Sequence, residues 1–108
     1  SPGELLQAVQ NSQYHLCAYR EGRLVGFGRV LMDGVLHAMI YDMIILPECQ
    51  GIGIGKHILD RLVAWCLQAG IRDIQLFCAR GKAGFYEKCG FVRRPEDAPG
   101  MVFGNSIP

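Results

Sequence analysis

The sequence predicts a mixed α/β fold, a mostly antiparallel central sheet completed by one parallel strand–helix–strand unit. Three observations carry this. Between Tyr14 and Leu46, β-rich stretches alternate with turn signals. From Ile54 to Ala69, apolar residues recur with the period of a helix. From Asp73 a short apolar stretch resumes, and a strand reached through a helix returns parallel to the one it left.

Each element has its own signal. Residues 4–9, after Pro2-Gly3, carry Leu5, Leu6, Ala8 and Val9 and read as a short helix. Residues 14–19 alternate weakly, as a strand does, and Glu21-Gly22 is a turn signal. Residues 24–32 make a second strand, in which Gly26 and Gly28 mark a close backbone approach or a bulge. Asp33-Gly34 matches a type I′ hairpin, whose central positions both need φ > 0. Residues 35–46 then form a long third strand, ended by Pro47. In the helix at 54–69, Ile54, Ile58, Leu62 and Cys66 make an apolar stripe flanked by Leu59, Val63 and Trp65, the face that packs on a sheet. Gly70 suits its C-terminal cap. A fourth strand is predicted at 73–78, a short helix at 83–89 stopped by Gly90, and further strands at 91–92 and 101–103.

The 108 residues suit one domain, 1–108, and leave no room for two. Half of them are hydrophobic, enough for a packed core. A formal net charge of +1 and a single adjacent basic pair, Arg93-Arg94, give no basic stripe, so no nucleic-acid partner is expected. No apolar run approaches the length of a bilayer span, the longest being the short strand-like stretch from Met43 to Pro47, and no membrane partner or secretory leader is read. The 5 cysteines, Cys17, Cys49, Cys66, Cys78 and Cys89, are odd in number and widely spaced. They read as reduced thiols, mostly core filler, in a cytoplasmic protein with no metal site.

Residues 47–56 leave a strand and open a helix, with glycine at 51, 53 and 55. A helix start offers unpaired N–H groups and a partial positive charge, and glycines let the backbone close on an anion. Two nucleotide fingerprints fail here. G-x-G-x-x-G meets Lys56 or Ile58 at its third glycine, and the P-loop would need glycine at Gln50 and Ser or Thr at His57. What remains is Gln50-x-x-Gly53-x-Gly55.

That pattern, following a strand and a proline, resembles the [Q/R]-x-x-G-x-[G/A] signature of the GCN5-related N-acetyltransferase (GNAT) family. A second family feature, Y-x-x-x-G-F, is matched by Tyr86, Gly90 and Phe91. The closing stretch from Arg94 to Met101 resembles the end of some small bacterial members, and the similarity runs from about Tyr14 onward. The resemblance implies the acyl-CoA N-acyltransferase fold, N-terminally abbreviated, and transfer of an acetyl group from acetyl-CoA to a primary amine of a small molecule or a protein. It further implies that Gln50, Gly51, Ile52, Gly53, Ile54, Gly55 and Lys56 hold the pyrophosphate of coenzyme A. The backbone of Ile44, Ile45 and Leu46 would pair with the pantetheine arm and polarise the thioester carbonyl. Tyr86 would be the general acid for the departing thiolate, the alternative being a packed tyrosine. A homodimer is expected, as is common in the family.

Asp42 stands on strand alternation alone. That alternation puts Ala38, Ile40, Asp42, Ile44 and Leu46 on one apolar face unless a bulge intervenes. A carboxylate there is a general base, a hydrogen-bonded strut, or a liner of the acceptor cavity. His15, His37 and His57 form no visible constellation, and Lys56 is either a phosphate contact or a solvated lysine. Two departures from the family pattern matter. Ala79-Arg80-Gly81-Lys82 lacks the asparagine often found there, and the start has room for one short helix only. The competing function is a catalytically silent acyl-CoA-binding regulatory module.

Overall fold

Strands β1 (Tyr14–Arg20), β2 (Arg23–Met32), β3 (His37–Ile45) and β4 (Asp73–Leu76) form one sheet in the order β1-β2-β3-β4. The computed structural model describes residues 1–106, the side chains of Leu5, Val9 and Ser106 excepted. The first three strands are antiparallel neighbours, and β4 pairs with β3 in parallel, from His37↔Asp73 to Ile40↔Leu76. Helix α1 (Pro2–Gln10) precedes the sheet and α2 (Ile54–Gln68) makes the crossover between β3 and β4. The expected mixed sheet with one parallel unit is therefore the fold observed. The expected apolar residues Leu5 and Val9 of α1 have side chains outside the described residues.

The chain divides into two compact units, one spanning Ser1–Leu76 and the other beginning at Phe77. In the first, α2 lays its stripe on β1, β2 and β3. Ile58, Leu59, Leu62 and Cys66 are buried as their spacing predicts. Leu59, Leu62, Ile71, Val30 and Cys66 form the fully enclosed centre. Each large apolar side chain enclosed this way contributes about 1.5–3 kcal/mol relative to exposure. Tyr14 stacks on Trp65 at 4.8 Å and closes one side.

Gly26 and Gly28 answer to the close approach predicted for them. A Cβ on Gly28 would stand 2.7 Å from Met43 Sδ and 2.9 Å from Leu62 Cδ1, and one on Gly26 would stand 2.9 Å from Ile45 Cδ1. The helix reaches the sheet because nothing projects there. Gly70, at φ +85°, ends α2 in a Schellman cap, with Ile71 N–H on Cys66 O at 3.0 Å and Gly70 N–H on Leu67 O at 3.0 Å. That cap also delivers Ile71 into the core.

Two local expectations are overturned. The β2–β3 connection is not a two-residue type I′ turn, because only Gly34 has positive φ there. The Asp33 carboxylate accepts hydrogen bonds from the N–H groups of Val35, Leu36 and His37 at 2.8, 2.7 and 3.1 Å, which makes a longer side-chain-held loop, and β3 begins only at His37. In the second unit, residues 91–92 and 101–103 are irregular rather than strands, and Val92, Met101, Val102 and Phe103 are exposed. Apolar residues flanked by Pro95, Pro99 and Gly100 find no strand to pair with among the described residues of that unit. Its regular elements are α3 (Ala83–Lys88) and a terminal 3-10 turn (Gly104–Ser106).

Candidate active site

Strand β3 is bulged where the site begins. Phe27 pairs with Ile44 but Arg29 pairs with Tyr41, so β3 accommodates one extra residue between these pairs. Asp42 takes up the slack at φ +56°, a left-handed conformation that Asp tolerates better than most residues. The bulge reverses the alternation. Ala38 and Ile40 are buried, as predicted, and beyond the bulge Met43 and Ile45 take over contact with the α2 side of the sheet. Asp42, Ile44 and Leu46 go to the opposite side, where they line an open pocket. The expectation that Asp42 shares a face with Ala38 and Ile40 is thus corrected, and the reason is one inserted residue. The same change leaves Ile44 57% exposed, so the stretch from Met43 to Pro47, which reads in the sequence as a buried strand, is only partly buried.

Asp42 Oδ2 accepts a 2.6 Å charge-assisted hydrogen bond from Arg29 Nε. The guanidinium is mostly enclosed. Its Nη1 donates to Ser12 Oγ at 3.1 Å, and its carbon lies 5.2 Å from the centre of the Tyr41 ring. This cluster was not legible in the sequence, since Ser12, Arg29, Tyr41 and Asp42 come from three separate segments.

Parallel pairing of β3 with β4 stops at Ile40↔Leu76. From Tyr41 to Ile45 the edge that faced β4 has no strand partner among the described residues, so its backbone groups are available to an extended ligand. The chain then turns through Pro47–Cys49, with Cys49 N–H on Leu46 O at 2.8 Å. Gln50 Nε2 donates to Ile45 O at 3.1 Å and ties the loop to the strand. Gly51 and Gly53 follow at φ +82° and +93°. Gly53 is the N-cap of α2 and brings no side-chain cap. His57 N–H makes the first helical bond, to Gly53 O at 3.0 Å. The N–H groups of Ile54 and Gly55 precede it in the first turn, where helix geometry provides no intrahelical acceptor, at the positive end of a 15-residue helix. That donor set fits an anion the size of a pyrophosphate, and a Cβ at Gly51 or Gly53 would meet nothing within 4 Å, so backbone conformation sets the requirement for glycine there. Lys56 Nζ lies 2.6 Å from Asp60 Oδ2 one turn on, and His57 is exposed.

Tyr86 lies in the second unit. It is buried edge-on between Phe85, at 5.1 Å, and Phe91, at 6.2 Å. Gly90, at φ +97°, ends α3 with Phe91 N–H on Tyr86 O at 3.1 Å and Gly90 N–H on Glu87 O at 3.2 Å. The Tyr-x-x-x-Gly-Phe spacing is therefore a Schellman cap, which sets Phe91 against Tyr86. Burial first, then the nearby Cys78 and Cys89, push the phenol above its ordinary value, so it stays protonated at neutral pH. Arg80 and Lys82 are exposed in the same unit.

Three further features were missed. His37 and Asp73, partners across β3 and β4, join their side chains. His15 and Phe27 stack with ring centres 6.3 Å apart on the pocket face, beside Cys17. Cys17 and Cys78 are exposed, which departs from the core role expected of most of the cysteines, while Cys49 and Cys66 are buried as expected.

Comparison with known proteins now bears on this geometry. Residues 2–91 match the model of the acetyltransferase (GNAT) family. Serotonin N-acetyltransferase 2, chloroplastic, of Oryza sativa is 39% identical over 85 residues, which are 79% of this chain and 42% of that protein. The chain thus spans less than half the length of that relative. A GNAT family acetyltransferase of Streptococcus pneumoniae superposes with a TM-score of 0.83 at 26% identity, covering 95% of this chain and 79% of that one. A predicted acetyltransferase of Clostridium acetobutylicum solved with acetyl-CoA gives a TM-score of 0.69 at 21% identity, over 82% and 62% of the two chains. A bulged strand with an open edge, running through paired glycines into an uncapped helix, is here joined to a family match over most of the chain, and the chain belongs to the acetyltransferase (GNAT) family.

Proposed function

We propose that this chain binds acetyl-CoA and catalyses direct transfer of its acetyl group to a primary amine. The observation that carries the reading is the segment from Ile44 to Lys56, an open strand edge leading through two left-handed glycines into the first turn of a helix without a side-chain cap. Bound acetyl-CoA supplies the acetyl group already activated as a thioester. The loop of Gln50, Gly51, Ile52, Gly53, Ile54, Gly55 and Lys56 holds the pyrophosphate through its backbone N–H groups, other than that of Gln50, which donates to Pro47 O at 3.3 Å, and a helix start adds its partial charge to theirs. The stretch Ile44, Ile45 and Leu46 receives the pantetheine arm along its open edge and directs an N–H at the carbonyl oxygen, which stabilises charge as it develops there; that N–H is not the one of Leu46, which donates to Val25 O at 2.9 Å.

Tyr86 Oη holds the proton that the leaving thiolate needs; its raised pKa and the family pattern support the role. Asp42 is the proton acceptor on the amine side, directly or through a water. Its pairing with Arg29 holds the carboxylate in place on the pocket face. A reducing compartment, the cytoplasm, is proposed from the sequence, in which the 5 cysteines are odd in number and widely spaced.

The test is calorimetric titration of the chain with acetyl-CoA, paired with a thiol-release assay across primary amines, serotonin among them because the rice relative is named for it. Saturable binding with amine-dependent release is expected. Binding without release for any amine would replace the enzyme with a silent acyl-CoA-binding module. No binding would overturn the assignment of residues 50–56.

A further inference from the structure

The pocket on the sheet face opposite α2 has a volume of about 460 Å³. That lies within the range of small-molecule sites, about 300–1,000 Å³. Its walls come from β1 (His15, Cys17), β2 (Phe27), β3 (Asp42, Ile44) and α1 (Leu6). Among the described residues Asp42 is the only acidic one that lines it, and no lysine or arginine does. Arg29 engages Oδ2 of that carboxylate, and among the described residues none donates to Oδ1. The side chain is 42% exposed. Leu6 and Ile44 are more than half exposed, so apolar surface stands open beside one fixed anion.

We infer that this pocket takes the acceptor, and that the acceptor is a primary amine with an apolar or aromatic body. The inference rests on the acetyltransferase reading and names the substrate class of that same site. Charge complementarity sets one end, with the ammonium on Asp42 Oδ1. The stacked rings of His15 and Phe27, 6.3 Å apart, and the Ile44 side chain accept the body. An ammonium with a hydroxylated or polycationic body is selected against, because its polar groups would lose water and find no partner there. Ile44 is shared between the two substrates: its side chain lines the pocket while its backbone lies on the open edge proposed for the pantetheine arm. The bulge at Asp42 creates this arrangement by turning Ile44 and Leu46 toward the pocket.

Cys17 gives a readout of occupancy that needs no acetyl transfer, because the thiol is exposed and lies in the pocket wall. The wild-type chain is alkylated with iodoacetamide alone and with rising phenethylamine or ethanolamine, and labelling at Cys17 and Cys78 is followed by peptide mass spectrometry. Phenethylamine is expected to slow labelling of Cys17 at least threefold while leaving Cys78 unchanged, and ethanolamine to do neither. Asp42→Asn should remove the protection. In the thiol-release assay, kcat/KM for phenethylamine should exceed that for ethanolamine at least tenfold, and Cys17→Phe should raise KM for phenethylamine with the calorimetric Kd for acetyl-CoA unchanged. Protection by phenethylamine without acetyl-CoA binding would sink the acetyltransferase reading and leave the amine pocket standing. Active enzyme with equal use of both amines and no protection of Cys17 would overturn the pocket. Protection that follows protein concentration instead of amine would mean that a second copy covers this face, and would overturn it too.

Discussion

Asp42 Oδ2 accepts a 2.6 Å hydrogen bond from Arg29 Nε, and the residue that makes this bond is also the one held at φ +56° in the bulge of β3. The contact ties side-chain electrostatics to backbone geometry. The ion pair anchors a carboxylate on the pocket face, and the bulge that brings it there also re-aims Ile44 and Leu46. The Arg29 side chain is only 13% exposed, so it depends on this partner more than a surface arginine would.

The two contributions of Asp42 are separable. Asp42→Asn keeps a side chain suited to left-handed backbone and removes the charge. It should cost about 1–2 kcal/mol, less than a fully enclosed pair because the carboxylate is partly hydrated. Asp42→Val removes the charge and adds a β-branched side chain at positive φ, for about 1–2 kcal/mol more. Urea unfolding of the three proteins should give midpoints in the order Asp, Asn, Val with unchanged slopes. Equal midpoints for Asn and Val would show that the left-handed conformation costs nothing.

Gly53→Val tests the anion loop. At φ +93° a branched side chain is strained by about 1–2 kcal/mol, although space for it exists. The chain should relieve that strain by rotating the N-cap and misdirecting the first N–H groups of α2. Acetyl-CoA affinity measured by calorimetry should fall at least tenfold while far-UV circular dichroism stays native. Wild-type affinity in a folded variant would remove Gly53 from the cofactor site.

Tyr86→Phe tests the proton donor. A positioned acid contributes roughly 10²–10⁴-fold, so turnover should fall by at least a hundredfold with acetyl-CoA affinity within twofold of wild type. The pH dependence has a definite sign. The folded phenol titrates above its unfolded value of 10.0 because burial disfavours the phenolate. Its contribution to stability is therefore complete below pH 10 and is lost as pH rises through the folded value. Tyr86→Phe should flatten the alkaline fall in stability, and an unaltered alkaline limb would show that the hydroxyl is not held away from water.

Asp33 sets an acid-side prediction. Hydrogen bonds from the backbone N–H groups of Val35, Leu36 and His37 lower its carboxyl from 3.8 to about 2. A depressed pKa stabilises the fold above the unfolded value and stops doing so as pH falls through the folded one. Wild type should lose stability between about pH 4 and 2 more steeply than Asp33→Ala, which is already without the loop clamp at neutral pH. Parallel curves for the two proteins across that window would contradict the clamp.

The sequence by itself determined the elements whose cause is local. Period and capping glycine located α2 and its end, and a strand followed by a helix and another strand implied the parallel β3–β4 pair. The anion loop was legible for the same reason, since its glycines and its helix start are consecutive in the chain. The tertiary structure alone decided which face Asp42 occupies, because an extra residue in β3 is defined only against its partner β2. Alternation predicted Ala38 and Ile40 correctly and failed two residues later, where a period of two cannot survive an insertion. It also decided that Arg29, Ser12 and Tyr41 would surround that carboxylate, and that His15, Phe27 and Ile44 would share one pocket. Each of these depends on sheet register, which long-range pairing sets and no short stretch of sequence contains.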